Sequence, residues 1–337
     1  KRYLSEIGDK IRMDVKHFQK VIANFEHSGC DYTADDVIAE FASDNPDNFL
    51  FPFMEGVIAN LKTLGKIRTS ETYAATLCSF RRFREDKDVP LDDMDSDMMM
   101  AYEAYLKNNG VSPNSSSFYM RNLRAVYNRA VEKGLTSQRF PFKHVYTGVE
   151  KTVKRAVPLK VIKRIKEMDF SMNPSFDFVR DMFLMSFYTR GMSFVDMAYL
   201  RKKDLQNGVL SYRRRKTGQQ LFIKWEKCMQ EIVDKYDTSQ SNYLLPIIKP
   251  FGDIDERTQY IYAAHNINRC LKIIGKELGL SVSLTLYVAR HAWASIAKSK
   301  NVPLSVISEG MGHDSEATTR IYLSLIHISE PTRLRCI

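Results

Sequence analysis

Near the end of the chain, three residue types are suited to chemistry on a phosphate group. Arg290 is followed directly by His291, His313 lies 23 residues after Arg290, and Tyr322 lies nine residues after His313. A tyrosine hydroxyl has a pKa of about 10, so at neutral pH it is a weak nucleophile unless other groups activate it. The planar guanidinium of arginine matches phosphate oxygens and stabilises negative charge that develops on them. These residues can act together only if the fold brings them to one place.

The motifs around these residues resemble the C-terminal signature of the tyrosine recombinases. The matching stretches are Ala289–Ala294 (ARHAWA), Met311–His313 (MGH) and Thr318–Tyr322 (TTRIY), with the family's intervals between them. The resemblance extends from about Phe49 to Tyr322 and so covers a core-binding and a catalytic domain. It implies that the protein cuts and rejoins duplex DNA as a site-specific integrase.

The resemblance also assigns roles to individual residues. It implies that Tyr322 is the nucleophile and forms a 3′-phosphotyrosine, while Arg290 and His313 donate to the phosphate in the transition state. His291 would lie beside the same phosphate and accept the tyrosine proton. Because the phosphodiester energy is conserved in the tyrosyl ester, the resemblance implies no cofactor, no metal and no ATP.

A basic segment in the second half of the chain resembles the mobile K-T-G hairpin of the same family. This segment is Tyr212–Gln219 (YRRRKTGQ). The resemblance implies that Lys216 is the general acid that protonates the departing 5′ oxygen. A hairpin tip that only contacts phosphate would have the same composition, and this alternative stays open. We expect its neighbours to contact the DNA backbone, namely Arg213, Arg214 and Arg215.

The sequence departs from the usual family pattern at the first catalytic arginine. In the register of the family's T-G-x-R-x-x-E turn, Ser193 stands at the arginine position and Asp196 at the acidic position. The nearest guanidinium belongs to Arg190, three residues earlier and about one helical turn away. We expect Arg190 to reach the same phosphate; the alternative is that it caps the C-terminus of the preceding helix.

A second departure replaces the histidine of the family's His-x-x-Arg motif by Tyr287. A tyrosine hydroxyl can donate a hydrogen bond to a phosphoryl oxygen, but it carries no positive charge. Both departures resemble the integrases of Bacteroidetes mobile elements. This likeness implies that the natural reaction integrates and excises a mobile element.

Hydrophobic periodicity predicts a mainly α-helical protein, because apolar residues recur at helical spacing over most of the chain. The resemblance implies a helical, SAM-like core DNA-binding domain and a mixed α/β catalytic domain with a small β-hairpin. We expect a partial N-terminal segment at residues 1–45 and the core-binding domain at residues 46–145. A linker is expected at residues 146–157 and the catalytic domain at residues 158–322. Residues 323–337 resemble a translated sequencing adapter, and we expect them to be foreign to the natural protein.

Local signals predict the positions of the individual elements. A helix start is predicted at Thr33-Ala-Asp-Asp36. The helices of the core-binding domain are predicted at residues 53–64, 70–86, 96–108 and 113–133. A change to period-two patterning predicts two strands, at residues 205–210 and 220–225.

Two predicted helices of the core-binding domain have arginine-rich outer faces. Arg121, Arg124 and Asn128 fall on one face of the same helix, because they are spaced by three and four residues. A solvated surface would look similar, but two such helices in one small domain favour contacts with the DNA backbone. The arginines expected to make these contacts are Arg81, Arg84, Arg121 and Arg124.

Composition agrees with a nucleic-acid partner. The chain of 337 residues has a formal net charge of +10, which favours a polyanion. Its five cysteines lack the C-x-x-C spacing of zinc sites and disulfide frameworks, which fits a reducing compartment. We expect a cytoplasmic, nucleoid-associated protein that acts as a homotetramer on double-stranded DNA, with accessory DNA-bending proteins as further partners.

Three other functions are compatible with parts of the pattern. A chromosome-dimer resolvase of the same family would use the same chemistry, although the additional N-terminal segment argues against it. A DNA-binding protein with a decayed active site is the alternative raised by Ser193 and Tyr287. A type IB topoisomerase would share the phosphotyrosine but relax DNA without choosing a site.

Overall fold

The structure of the protein is a computed structural model. It describes residues 2–29, 31–43, 48–150, 155–249 and 254–323, with the side chains of all of these except 2–10, 13, 14, 17, 20, 39–43, 321 and 322. The chain divides into two compact units, Lys1–Lys151 and Thr152–Ile337. No helix within the described ranges is both long enough and apolar enough to cross a lipid bilayer.

The first unit begins with two helices that pack on each other, α1 (Arg2–Ser28) and α2 (Ala34–Ser43). The helix start predicted at Thr33 is confirmed. The Thr33 backbone N–H donates to Asp36 Oδ2 (2.8 Å), and the Asp36 N–H donates to Thr33 Oγ1 (3.3 Å). These reciprocal bonds satisfy backbone donors that a helix N-terminus leaves without an intrahelical partner.

Four further helices form the main core of this unit. They are α3 (Leu50–Thr63), α4 (Ile67–Arg84), α5 (Ser96–Asn108) and α6 (Pro113–Glu132), and α5 has the bounds that the sequence predicts. Asp95 caps α5 by accepting from the Met98 N–H at 2.8 Å. The core between the helices contains large side chains with no exposed surface, among them Phe80, Tyr102 and Tyr127.

The start of the predicted linker is attached to α5 and α6. The Tyr146 N–H donates to Glu103 Oε1 (2.8 Å), and the Ser117 hydroxyl donates to the Gly148 carbonyl (2.5 Å). Asn114 makes two hydrogen bonds with the backbone of Glu150. Residues 146–150 therefore follow α6 back towards its N-terminus, while the domain limits given above stay a prediction.

In the second unit, helices surround one central helix and carry the predicted motifs. They are α7 (Leu159–Glu167), α8 (Pro174–Tyr188), α9 (Phe194–Ala198), α10 (Lys227–Asp234), α11 (Glu256–Glu277), α12 (Leu286–Ser299), α13 (Leu304–Gly310) and α14 (Glu316–Leu323). α8 is central because Val179, Met182, Phe183 and Met185 are all fully buried. α12 packs against α8, and α14 packs against α12 and α13.

A three-stranded antiparallel sheet interrupts the helices, with β1 (Leu205–Gln206), β2 (Val209–Arg213) and β3 (Gln220–Lys224) in sequence order. The prediction of one strand over residues 205–210 is wrong. Asn207 and Gly208 have φ values of +50° and +74°, which form a tight two-residue turn between β1 and β2. Asn-Gly is a strong signal for such a turn, since both residues tolerate a positive φ. The predicted mainly α fold with a small β-sheet is otherwise confirmed.

Candidate active site

Arg290 is the residue around which the predicted site is organised. It lies in α12 and is 4% exposed. Its Nη1 donates to the Gly191 carbonyl (2.6 Å), and its Nη2 donates to the Met311 carbonyl (2.6 Å) and lies 3.0 Å from His313 Nε2. One guanidinium therefore connects the turn after α8 with the turn after α13.

His313 follows a tight turn and is also buried. Its Nδ1 lies 2.8 Å from the hydroxyl of Thr319, which is fully buried in α14. Because a guanidinium can only donate, Nε2 accepts from Arg290, and Nδ1 carries the hydrogen that bonds to Thr319. Burial, with the positive charges of Arg290, Arg214 and Lys216, lowers the pKa of His313 to about 4. His313 is therefore a neutral imidazole at neutral pH.

Beside these two residues lies a cavity of about 490 Å³. Lys216, on the exposed β2–β3 turn, lines the cavity together with Arg290. The residues lining it are Met192, Ser193, Phe194, Arg214, Lys216, Tyr260, Ala264, Asn268, Thr285, Leu286, Tyr287 and Arg290. This arrangement combines cations and neutral hydrogen-bond donors around a space that can accept an anionic group.

Arg214, for which a DNA-backbone contact is predicted, lies on the buried face of the hairpin. It is 7% exposed, lines the cavity, and donates from Nη1 to the Gly312 carbonyl (2.5 Å). The reason is strand alternation, since Leu210 and Tyr212 are also buried on the same face of the hairpin. Period-two counting from Leu210 could have placed Arg214 on this face.

The other two arginines of the hairpin lie on its exposed side. Arg213 donates from Nη1 to the Gly218 carbonyl of its own turn (2.9 Å). The guanidinium of Arg215 lies 3.9 Å from the centre of the Tyr199 ring, a cation–π geometry. The Arg215 backbone N–H donates to Asp196 Oδ1 at 2.9 Å. Asp196, the residue in the family's acidic position, therefore attaches the hairpin to α9.

Ser193, which stands at the family's arginine position, has a structural role. It is the N-cap of α9, and its hydroxyl donates to Asp196 Oδ2 (2.6 Å). Arg190 is half-buried with a positive φ of +60°, and it is not among the residues that line the cavity. A Cβ atom added to Gly310 would lie 3.4 Å from Arg190 Cδ and 3.2 Å from the Trp293 ring. Arg190 thus packs beside the α13 C-terminus.

The remaining predicted residues of α12 form a pair. Tyr287 is 55% exposed at the cavity, while His291 is buried one turn further along the helix. Their rings meet edge to face, with centroids 4.6 Å apart. The exposed tyrosine thus lines the cavity, and its ring lies edge to face against the imidazole of His291.

Tyr322 lies in the last turn of α14, and its side chain falls outside the described residues. Thr319 is three residues earlier, which places both positions on one helix face. Through its bond to His313, Thr319 fixes this part of α14 beside the site. Sequence reasoning missed Thr319, and its helical spacing from Tyr322 is the signal that indicates it.

The predicted DNA-binding arginines of the first unit differ in their surroundings. Arg124 is exposed and donates to the Thr147 hydroxyl (3.3 Å), so its charge has a neutral partner there. Arg81 forms an ion pair with Glu55 (2.6 Å) and lies over the Phe51 ring. Arg84 and Arg121 are half-buried, and Arg84 Nε makes no hydrogen bond to any described residue.

Comparisons with known proteins agree with this architecture. The phage integrase SAM-like domain matches residues 49–145, and the phage integrase family matches residues 159–327. No curated protein matches the sequence closely enough to count as a relative.

Solved structures show the same fold at low sequence identity. A lambda integrase dimer bound to a COC′ core site is 18% identical with a TM-score of 0.62, over 90% of this chain and 85% of that one. A lambda integrase tetramer bound to a Holliday junction is also 18% identical with a TM-score of 0.62, over 89% of this chain and 84% of that one. The Tn1549 transposon integrase in complex with transposon right end DNA is 15% identical with a TM-score of 0.57, over 80% of this chain and 94% of that one. Together the two family matches span most of the sequence, and the chain therefore belongs to the phage integrase family, the DNA strand-transferases known as tyrosine recombinases.

Proposed function

We propose that this recombinase integrates and excises a mobile element through a phosphotyrosine at Tyr322. The observation that carries the proposal is the cavity lined by Arg290, Arg214 and Lys216, with His313 hydrogen-bonded to Arg290. A phosphate held there would find fixed cationic donors in a partly buried setting, where such donors stabilise developing charge most strongly.

The proposed cleavage step is an in-line displacement at one phosphorus atom. The Tyr322 oxygen forms a bond to phosphorus while the bond from phosphorus to the 5′ oxygen breaks. His291 accepts the phenolic proton, and Lys216 gives a proton to the departing 5′ oxygen, so the products are a 3′-phosphotyrosine and a free 5′ hydroxyl. Lys216 suits this role because the β2–β3 turn holds it at the cavity on the exposed side. Rejoining reverses the same step with another 5′ hydroxyl.

Arg290 and Arg214 would bind the non-bridging oxygens, and the Tyr287 hydroxyl would add a neutral donor. Arg214 is favoured over Arg190 as the second guanidinium because Arg214 lines the cavity, whereas Arg190 packs beside Gly310 and Trp293. Arg190 would then support the turn that carries Gly191, the residue whose carbonyl accepts from Arg290.

We further propose that the active assembly is a homotetramer on double-stranded attachment-site DNA at the nucleoid, with accessory DNA-bending proteins. Support comes from lambda integrase, which has been solved as a dimer on a core site and as a tetramer on a Holliday junction. The net charge of +10 suits the same polyanionic partner.

A nicked suicide duplex carrying the attachment site of the protein's own element tests the nucleophile. The wild type should form a covalent adduct that survives denaturing electrophoresis, and Tyr322→Phe should form none. Tyr262→Phe is a matched control, because Tyr262 is an exposed tyrosine of α11 and should give a normal adduct. Specific DNA binding without any adduct from the wild type would instead favour a DNA-binding protein that has lost its catalysis.

The same substrate distinguishes the two candidate arginines. Arg214→Ala should slow adduct formation by about 100-fold or more, the usual effect of removing an oxyanion donor. Arg190→Ala should slow it less, and Arg213→Ala, on the exposed side of the hairpin, should leave the rate within several-fold of the wild type. If Arg190→Ala slows adduct formation more than Arg214→Ala does, Arg190 is the second guanidinium that binds the phosphate.

A further inference from the structure

One wall of the cavity is supplied by a helix for which the sequence motifs assign no catalytic role. Tyr260, Ala264 and Asn268 of α11 all line the cavity, at intervals of four residues along one face of the helix. Asn268 is the member of this row that carries a side-chain amide, and it faces the same space as Arg290 and Lys216.

The amide of Asn268 is oriented by the start of α12. Its Oδ1 accepts from the Leu286 backbone N–H at 2.9 Å. Thr285, the N-cap of α12, makes no capping bond with its side chain, so Asn268 supplies this acceptor from the neighbouring helix. Since a backbone N–H can only donate, the bonded atom must be the oxygen, and Nδ2 is the polar atom that remains for the cavity.

We propose that Asn268 is a further phosphate-contacting residue, whose Nδ2 donates to a non-bridging oxygen of the scissile phosphodiester. This inference rests on the proposed function of the site. Side-chain amides are effective donors to oxyanions when a second bond fixes their orientation beforehand. The donor is useful here because Ser193 and Tyr287 replace two side chains that carry charge in the resembling family. A neutral donor that is fixed in place would supply part of the phosphate stabilisation that the charged side chains give in that family.

A purely structural role for Asn268 makes a different prediction from a contact with phosphate. If Asn268 only caps α12, Asn268→Asp should be harmless or stabilising. Aspartate has almost the same shape, keeps the acceptor, and is favoured at a helix N-terminus. If Nδ2 contacts the phosphate, the same substitution places a negative charge opposite a negative oxygen. Asn268→Ala removes the cap and the donor together but adds no repulsion.

The test compares two rank orders measured on the full chain. The melting temperature should be similar for the wild type and Asn268→Asp, and lower for Asn268→Ala. The single-turnover rate of adduct formation on the suicide duplex should instead fall in the order wild type, Asn268→Ala, Asn268→Asp, with the aspartate variant at least 100-fold slower. Asn266→Asp is the matched control, because Asn266 is exposed on the same helix beside Arg269 and should cleave within threefold of the wild type.

A substrate change separates repulsion from misfolding. A methylphosphonate at the scissile position has no negative charge, so the deficit of Asn268→Asp relative to the wild type should shrink by tenfold or more. An aspartate variant that cleaves faster than the alanine variant, or a deficit that the neutral substrate leaves unchanged, would overturn the phosphate contact. A wild type that forms no adduct at all would overturn the proposed function instead.

Discussion

At the residue scale, His313 combines burial with three nearby positive charges, and both effects disfavour its protonated form. Burial is the larger cause of the lowered pKa, and the charges of Arg290, Arg214 and Lys216 add to it. The neutral ring accepts from Arg290 and donates to Thr319, so its two nitrogens have opposite roles. Protonation would place a donor against the Arg290 guanidinium and break this pairing.

This arrangement predicts how stability depends on pH. The folded pKa of about 4 lies below the unfolded value of 6.5, so the unfolded chain binds the proton more readily. The stabilisation that the neutral His313 provides is therefore complete above about pH 6.5 and is lost as the pH falls towards 4. Over this range the free energy of unfolding should fall by up to about 1.4 kcal/mol per pH unit. Urea denaturation of the wild type and His313→Gln at pH 7, 6 and 5 should show the steeper decline in the wild type. Parallel declines would mean that His313 titrates normally.

How much of the site could be predicted differs from residue to residue. Arg290, His313 and Tyr322 lie in motifs whose spacing is visible in the sequence. The sequence predicts the same DNA-backbone contact for Arg213, Arg214 and Arg215, because a run of three arginines reads as a uniform basic tip unless the strand alternation is counted. Asn268 could not be found in this way. Its role depends on a contact between two helices, and no local pattern records which side chain caps a neighbouring helix.

At the scale of elements, the turn between α8 and α9 is fixed by how closely it approaches α12. Gly191 has a φ of +72°, and a Cβ atom added to it would lie 2.6 Å from Arg290 Cα. The close approach allows the Gly191 carbonyl to accept from Arg290 Nη1. Any side chain at this position would push the turn away from α12 and weaken that hydrogen bond.

Gly191→Ala should therefore destabilise the protein by about 2 kcal/mol or more, since backbone strain and a clash with main-chain atoms act together. Gly208→Ala is the matched control. Gly208 has a similar φ of +74° but no atom within 4 Å of an added Cβ. Gly208→Ala should therefore lower the free energy of unfolding by about 1 kcal/mol, from backbone strain alone. Urea denaturation measures both, and only Gly191→Ala should also slow adduct formation. Equal losses would show that the packing against α12 tolerates a methyl group.

Helices were easier to predict than strands in this chain. The prediction for α5 is correct at both ends, because Asp95 gives a clear N-cap signal and the apolar spacing continues to the last turn. The β1–β2 turn was missed because its two strands are short and their apolar residues read as one continuous run. The Asn207-Gly208 pair was the local signal against that interpretation.

At the scale of the whole molecule, positive charge is unevenly available to a DNA partner. The formal excess is +10, but several arginines already have partners within the protein. Arg81 is paired with Glu55 at 2.6 Å, and the half-buried Arg180 contacts both Asp177 and Asp181. Arg124, whose described partner is the neutral hydroxyl of Thr147, keeps its full charge for an external anion. Counting basic residues along the sequence therefore overestimates the charge that DNA would meet.

Salt dependence of DNA binding should distinguish an arginine that is already paired with a carboxylate, such as Arg81, from one whose charge is not neutralised, such as Arg124. Each phosphate contact that is lost lowers the slope of log affinity against log salt by about 1, because fewer counterions are released on binding. Arg124→Gln should therefore lower the slope by about 1, whereas Arg81→Gln should change it little, since Glu55 already neutralises Arg81. Affinities measured on the attachment-site duplex from 50 to 300 mM KCl give the slopes, and melting temperatures control for lost packing of Arg81 on Phe51. If Arg81→Gln lowers the slope as much as Arg124→Gln, the ion pair with Glu55 opens when DNA binds. Glu55→Gln would then raise the affinity of the protein that retains Arg81.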